Sequence, residues 1–216
     1  MHRLRIDQAV IADLVTDGAR VLDLGCGDGL LLDHLIRRKH ARGFGVEISH
    51  EGVHACIAHG LPVYQGDIDQ GLSDHHDDSF DYVILSHTLQ AIHRPEYVLK
   101  EMLRVGKKII VSFPNFGYWR VRFGLLMSGR MPRTRVLPYR WYNTPYIHLC
   151  TILDFEDLCR ELDIRILRRI PLSADRHPAR RTIQNPLSQW LLPEATANLL
   201  APVAVFLLER NTQCPQ

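Results

Sequence analysis

Three observations on these 216 residues predict a doubly wound α/β fold around a mostly parallel sheet. An apolar run, Val21-Leu-Asp-Leu24, ends in glycines at 25, 27 and 29, the pattern of a buried strand turning tightly into a helix. Further short apolar runs alternate with stretches of helical periodicity, an order that gives right-handed crossovers and parallel strands. The residues with ligand-binding chemistry fall at the ends of those runs, where open α/β sheets hold their ligands.

The elements follow in order. Ile6, Val10, Ile11, Leu14 and Val15 lie at helical spacing, and Asp17-Gly18 closes that helix, which is expected to cover the mouth of the site. After the first strand a helix over Leu30 to Lys39 points its free N–H groups into the space above the glycines. Arg42 to Ile48 reads as a second strand, Ser49 to His59 as a helix capped by Ser49, and Leu61 to Gln65 as a third strand leading into Gly66-Asp67-Ile68-Asp69. Ser79 to His87 is a fourth strand. Pro95 to Val105 is a helix with proline in its first turn, ended by Gly106, and Lys107 to Phe113 is a fifth strand. Ile152 to Leu162 reads as a helix, and Ile164 to Ile170 and Ala201 to Glu209 as strands, with Pro202 at a tolerated position near a strand start. Pro171 to Pro193 is expected to be a loop or short helical excursion. The chain reads as one domain, 1–216, interrupted by an insertion at 114–150.

Composition sets limits. With 46% hydrophobic and 23% charged residues the chain is of ordinary globular type. No apolar run is long enough for a membrane helix, and the start, Met1-His-Arg-Leu-Arg-Ile-Asp, lacks a signal-peptide core, so a cytoplasmic protein is expected. Five cysteines, without a C-x-x-C pair, are expected to be reduced. The cluster Asp74-His-His-Asp-Asp78 reads as a solvated loop, and no metal site is expected.

The glycine spacing is G-x-G-x-G, whereas a dinucleotide fingerprint would need its third glycine where Leu30 stands, which argues against NAD. Glu47, 22 residues past Gly25, suits two hydrogen bonds from a ribose diol, its other reading being a solvated strand-end acid. Asp67 follows the third strand, with Asp69 a cap of the next turn. Cys26, inside the turn, reads as a small space-filler and not as a nucleophile. Together these pieces resemble class I S-adenosylmethionine (AdoMet) methyltransferases. The resemblance implies a Rossmann-like, seven-stranded sheet with an antiparallel last strand and a site for AdoMet or S-adenosylhomocysteine. In that site Asp23 and the backbone of Gly25 and Gly27 take the methionine end, Glu47 the ribose and Asp67 the adenine amino group. Cys26, Ile48, Ile68 and Ser86 are their neighbours, Ser86 at the strand end beside the sulfonium.

The 37 residues from Pro114 to Cys150 hold six arginines and not one acid, leaving 20 basic against 24 acidic side chains elsewhere. They also hold eight aromatics. Arginine with aromatics is the composition of interface anchors. A docking surface for another protein is the favoured reading, with Trp119, Arg120, Arg140, Trp141 and Tyr142 as its anchors. A lid closing over the sulfonium, a nucleic-acid surface and, for Phe123-Gly-Leu-Leu-Met127, plain core packing are the other readings.

Two tracts here, Ser112 to Phe123 and Pro138 to Thr151, resemble the MetW family of methionine-biosynthesis proteins, and the likeness runs from about Leu4 through the 160s and less distinctly to the terminus. That resemblance implies a methyltransferase-like protein that works with homoserine O-acyltransferase, MetX. The amine-methyltransferase motif Asn/Asp-Pro-Pro-aromatic is replaced by Ser86-His-Thr-Leu-Gln90, which argues against amine methylation. His87 or His93 could serve an oxygen acceptor as a base, or simply line the pocket. No catalytic residue is assigned. Two functions are expected: a partner that activates MetX and senses AdoMet, or an AdoMet-dependent methyltransferase acting on a small molecule.

Overall fold

The computed structural model describes residues 4–172 and 194–211. Along the chain run α1 (Ile6–Leu14), β1 (Arg20–Leu24), α2 (Leu30–Lys39), β2 (Arg42–Glu47), α3 (His50–Ala58), β3 (Val63–Gln65), β4 (Phe80–Ser86), α4 (Pro95–Val105), β5 (Gly106–Pro114), α5 (Trp119–Ser128), α6 (Ile152–Glu161), β6 (Ile164–Leu172), α7 (Glu194–Leu200) and β7 (Val203–Arg210). The seven strands form one sheet in the order β3-β2-β1-β4-β5-β7-β6. Strand β7 runs antiparallel to β5 and β6, and the pairs among β1 to β5 are parallel. This is the mixed, mostly parallel α/β sheet expected of the sequence. The expectation for Pro171 to Pro193 falls outside the described residues, except that Pro171 and Leu172 complete β6.

Strands buried on both faces need apolar side chains at successive positions, and this sheet has them. In β5, Ile109, Val111 and Phe113 meet α4 and α6 in one cluster, while Ile110 meets α1 and α2 in the other. Strand β7 divides likewise, with Ala204, Phe206 and Leu208 on the first face and Val203, Val205 and Leu207 on the second. Three phenylalanines, one each from β5, α6 and β7, fix the α6 side: the Phe155 ring lies 4.9 Å from Phe113 and 4.8 Å from Phe206.

Helix bounds follow local chemistry. The Ser49 hydroxyl accepts from the Gly52 N–H at the start of α3. Pro95 occupies the first turn of α4, and Asp69, from the turn after β3, accepts from the N–H groups of His93 and Arg94 just before it. Thr151 and Asp154 cap α6 reciprocally. The loop at 74–78 is mostly exposed, but His75 departs from the solvated reading by packing edge-on against Phe80, 5.2 Å between ring centres. Asp77 and Asp78 in the same loop pair with Arg104 and Arg210. Among the described residues no helix is long and apolar enough to cross a membrane.

The Phe113, Phe155 and Phe206 cluster generates a first prediction. Phe155→Ala empties the centre of a fully packed contact and lowers unfolding free energy by about 3–5 kcal/mol, measured by urea denaturation.

Candidate functional site: the glycine turn and the adjoining arginine segment

The strand order reverses between β1 and β4, and the glycine turn lies at the carboxyl end of β1 beside that reversal. Gly25 takes φ +67° and Gly27 φ +59°, left-handed values that a side chain resists. At Gly25 space also forbids a side chain, because a Cβ would stand 2.6 Å from Thr88 Oγ1. At Gly27 nothing lies within 4 Å of that position, so the turn faces open space there. The turn is pinned to β2 by the Gly25 and Cys26 N–H groups, which both donate to the Val46 carbonyl at 2.8 and 3.1 Å.

Glu47 gathers the rest. Its Oε2 accepts from the Gly27 N–H at 2.8 Å and its Oε1 from the Ser49 N–H at 2.9 Å, while its own carbonyl accepts from Gly66 N–H at 3.1 Å. The reading of Glu47 as a solvated strand-end acid is therefore wrong: the residue is buried, at 8% exposure. Its neighbour Ile48 is 64% exposed, an apolar side chain facing outward at the rim. Asp67 caps the short turn Ile68–Gln70 by accepting from the Asp69 N–H. Asp69, read as a cap of the turn that follows, accepts from the N–H groups of His93 and Arg94 ahead of α4.

Asp23 is 2% exposed, and its carboxylate has no hydrogen-bond partner among the described residues. Burial raises its pKa to about 7, with Arg5 pulling it down and Glu47 pushing it up. Cys26 Sγ lies 3.8 Å from Cys56 Sγ, and burial keeps its thiol protonated well above the usual range, reinforced by Asp23 and Cys56. That matches a space-filler: a Cβ added at Gly45 would meet the Cys26 sulfur at 2.8 Å.

Ser86 ends β4 with its hydroxyl committed to α1. It donates to Asp7 Oδ2 at 3.1 Å and accepts from Arg5 at 2.9 Å, and Ser112 donates to the same Asp7 oxygen at 3.1 Å. Burial opposes ionisation of Asp7, but His87, Arg5 and Ser86 outweigh it and hold the pKa below the ordinary value. Of the two histidines considered as bases, His93 is exposed. His87 is largely buried at φ +57°, its pKa lowered by burial against the pull of Asp7. Arg5 and Asp7 were missed in the sequence; the signal was there, since Asp7 sits one turn before Val10 and Ile11 on the face that α1 buries.

Between β5 and α6 the chain forms α5 and an irregular stretch. Core packing for Phe123 to Met127 is not what the structure has. Phe123, Leu125, Leu126 and Met127 are all exposed, Leu126 at 79%, and of α5 only Val121 is buried. Trp119 is half-exposed with the Arg120 guanidinium 5.4 Å from its ring centre. Trp141 is 75% exposed and edge-on to Tyr142, whose hydroxyl accepts from Arg140 at 2.8 Å. The stretch is tied back to the β4 end by the buried Gln90, whose carbonyl accepts from the N–H groups of Ile147 and His148 at 2.7 and 3.0 Å. Among the described residues no group of three or more His, Cys, Asp or Glu is arranged to hold a metal.

A family model described as "Methionine biosynthesis protein MetW" matches residues 5–208. The chain belongs to the MetW family. It is 35% identical over 219 residues to the bifunctional methionine biosynthesis protein MetXA/MetW of Rhodopirellula baltica, an alignment covering 97% of this chain and 33% of that protein. The chain thus spans about a third of that relative's length. Among solved structures it is similar to a SAM-dependent methyltransferase of Thermotoga maritima, described as a possible histamine N-methyltransferase, with TM-score 0.65 and 19% identity over 95% of this chain and 87% of that one. It is also similar to a chain in a structure described as the "Complex between the Haloferax volcanii Trm112 methyltransferase activator and the putative methyltransferase", with TM-score 0.62 and 21% identity over 94% of this chain and 88% of that one. These two likenesses place this MetW family member on the methyltransferase fold.

The state of Asp23 has a measurable sign. Its folded pKa lies above its unfolded value of about 4, so folding takes up a proton between about pH 4 and pH 7, and stability falls as pH rises through that window. Asp23→Asn removes this loss. Its stability relative to the parent rises between pH 4 and pH 7.5 by at most roughly 4 kcal/mol in chemical denaturation, and levels off above.

Proposed function

We propose that the chain is an AdoMet-binding protein of methionine biosynthesis that docks on homoserine O-acyltransferase, MetX, activates it, and makes that activation respond to AdoMet. The observation that carries the reading is the exposure of the arginine and aromatic segment. Leu126, Met127, Trp141 and Tyr142 lie open, with Arg120 and Arg140 beside aromatic rings. Large flat side chains with arginine are the usual centres of binding energy at protein interfaces. The Rhodopirellula baltica relative, whose name joins MetXA to MetW in one protein, supports the choice of partner.

Support for AdoMet comes from the glycine turn. Asp23 offers a buried, unbonded carboxylate to the ligand's ammonium, Gly25 and Gly27 leave the approach free of side chains, and exposed Ile48 offers an apolar surface to a flat base. Glu47 uses one acceptor site on each oxygen within the fold, so each retains another for a ribose hydroxyl. Asp67 and Ile68 stand at the adenine end and Cys26 beneath the turn. AdoMet bound there supplies a sulfonium methyl group, whose transfer needs chiefly alignment with an acceptor. For regulation, AdoMet must bind the MetX-bound and free forms with different affinity, and MetX must then change AdoMet affinity by the same factor.

The test is homoserine acylation by the organism's own MetX, with and without this chain, each at zero and saturating AdoMet. Activity that needs the chain, and changes with AdoMet, is the expected result; unchanged activity in every arm, with methylated product from labelled AdoMet, would replace this reading by small-molecule methylation. Trp141→Ala weakens MetX binding by at least 2 kcal/mol, about thirtyfold, and leaves AdoMet affinity unchanged, as read by calorimetry. At pH 6, where the raised pKa keeps Asp23 protonated, AdoMet binding releases close to one proton, detected by repeating the titration in buffers of different ionisation enthalpy. Asp23→Asn removes that release.

A further inference from the structure

Beside the glycine turn, on the α1 side of the β4 end, a cavity of about 350 Å³ is walled by the start of α1, the arginine segment and the start of β7. Its size is that of a small-molecule site. Among the described residues four charged side chains line it: Arg5, Arg120 and Arg135, with Asp7 as the one acid. That acid is already satisfied. Asp7 accepts from Arg5 on both oxygens and from Ser86 and Ser112, so Arg5 and Asp7 cancel.

Arg120 and Arg135 remain. Neither has a hydrogen bond or ion pair with a described residue, and the Arg120 contact with the Trp119 ring leaves its charge intact. The 37 residues that carry both contain no acid to neutralise them. Both residues are exposed, so water screens their charges, yet two guanidiniums without an acid partner on one apolar-walled cavity favour an anion between them, and arginine's planar fork fits a carboxylate. Tyr139 and Tyr146 line the same cavity edge-to-face, 5.5 Å between ring centres, which presents aromatic surface to a flat guest.

His87 adds an independent sign. It lines the cavity in a left-handed backbone conformation, and its buried Nε2 has no hydrogen-bond partner among the described residues, the 3.5 Å approach to Asp7 lacking hydrogen-bond geometry. Backbone strain and an unpaired buried polar atom together mark ligand sites. We propose that this cavity is a second ligand site, separate from the glycine turn, and that it takes a small carboxylate with a flat apolar body, the carboxylate held by Arg120 and Arg135. The proposal goes beyond the partner role and does not depend on it.

Benzoate is the probe, titrated into the full chain by calorimetry, with benzamide as the neutral molecule of the same shape. Benzoate binds saturably and benzamide at least tenfold more weakly. Arg120→Ala and Arg135→Ala each weaken benzoate about tenfold, and the double variant abolishes binding, while AdoMet affinity and the ligand-free unfolding midpoint stay at parent values. Arg135→Lys, which keeps the charge and loses the fork, falls between. Absence of benzoate binding at millimolar concentration, equal binding of benzamide, or alanine variants that bind benzoate as the parent does would each overturn the proposal.

Discussion

The carboxylate of Glu47 holds the amino-terminal half of the sheet together around the glycine turn. One oxygen takes the Gly27 N–H from the turn after β1, the other takes Ser49 N–H at the start of α3, and the backbone carbonyl of the same residue takes Gly66 N–H after β3. Three strand ends are fixed by one residue. Both acceptors face amide donors in a site shielded from water, where each bond is stronger than on the surface and each unmade bond costs more. Together with the Gly25 and Cys26 bonds to the Val46 carbonyl, Glu47 holds the turn so that Gly27 keeps its open face.

The opposite side of the β4 end is arranged around Asp7, and the contrast between the two acids is instructive. Asp7 is buried with Arg5, two serine hydroxyls and His87 around it, and stays ionised. Asp23 is buried with no hydrogen-bond donor to it among the described residues, and its proton is retained up to about pH 7. Burial acts on both in the same sense; the difference lies in the partners. The satisfied acid ties α1 to β4 and β5, and the unsatisfied one is free to meet a ligand.

Much of this was legible in the sequence where the determining interactions are local. The bounds of α4 follow from Pro95 and Gly106, and the start of α2 from Gly29. Where the determinant is a distant neighbour, the sequence misleads. Phe123 to Met127 looks like core, yet no layer of this chain's described residues lies over it, and sequence records hydrophobicity without recording what covers it. Helix α5 went unseen because its apolar residues surround the axis and show no helical face. That Asp67 caps its own turn and Asp69 binds the start of α4 was not legible, because a cap is decided by which N–H groups come within reach, and His93 and Arg94 reach Asp69 only after α4 has packed.

The position of β7 bears on how such a chain is made. It is the last strand described, yet it lies inside the sheet, pairing Leu207 with Ile110 of β5 and Val205 with Ile170 of β6. Until it leaves the ribosome, β5 has an open edge lined with Ile110, Val111 and Phe113, and β6 has no neighbour to join. The pairing that completes the sheet spans roughly half the chain, and contacts of such high sequence separation form slowly. The completed sheet therefore depends on its last-made strand to cover an apolar edge of β5 that would otherwise be open to pairing with another chain.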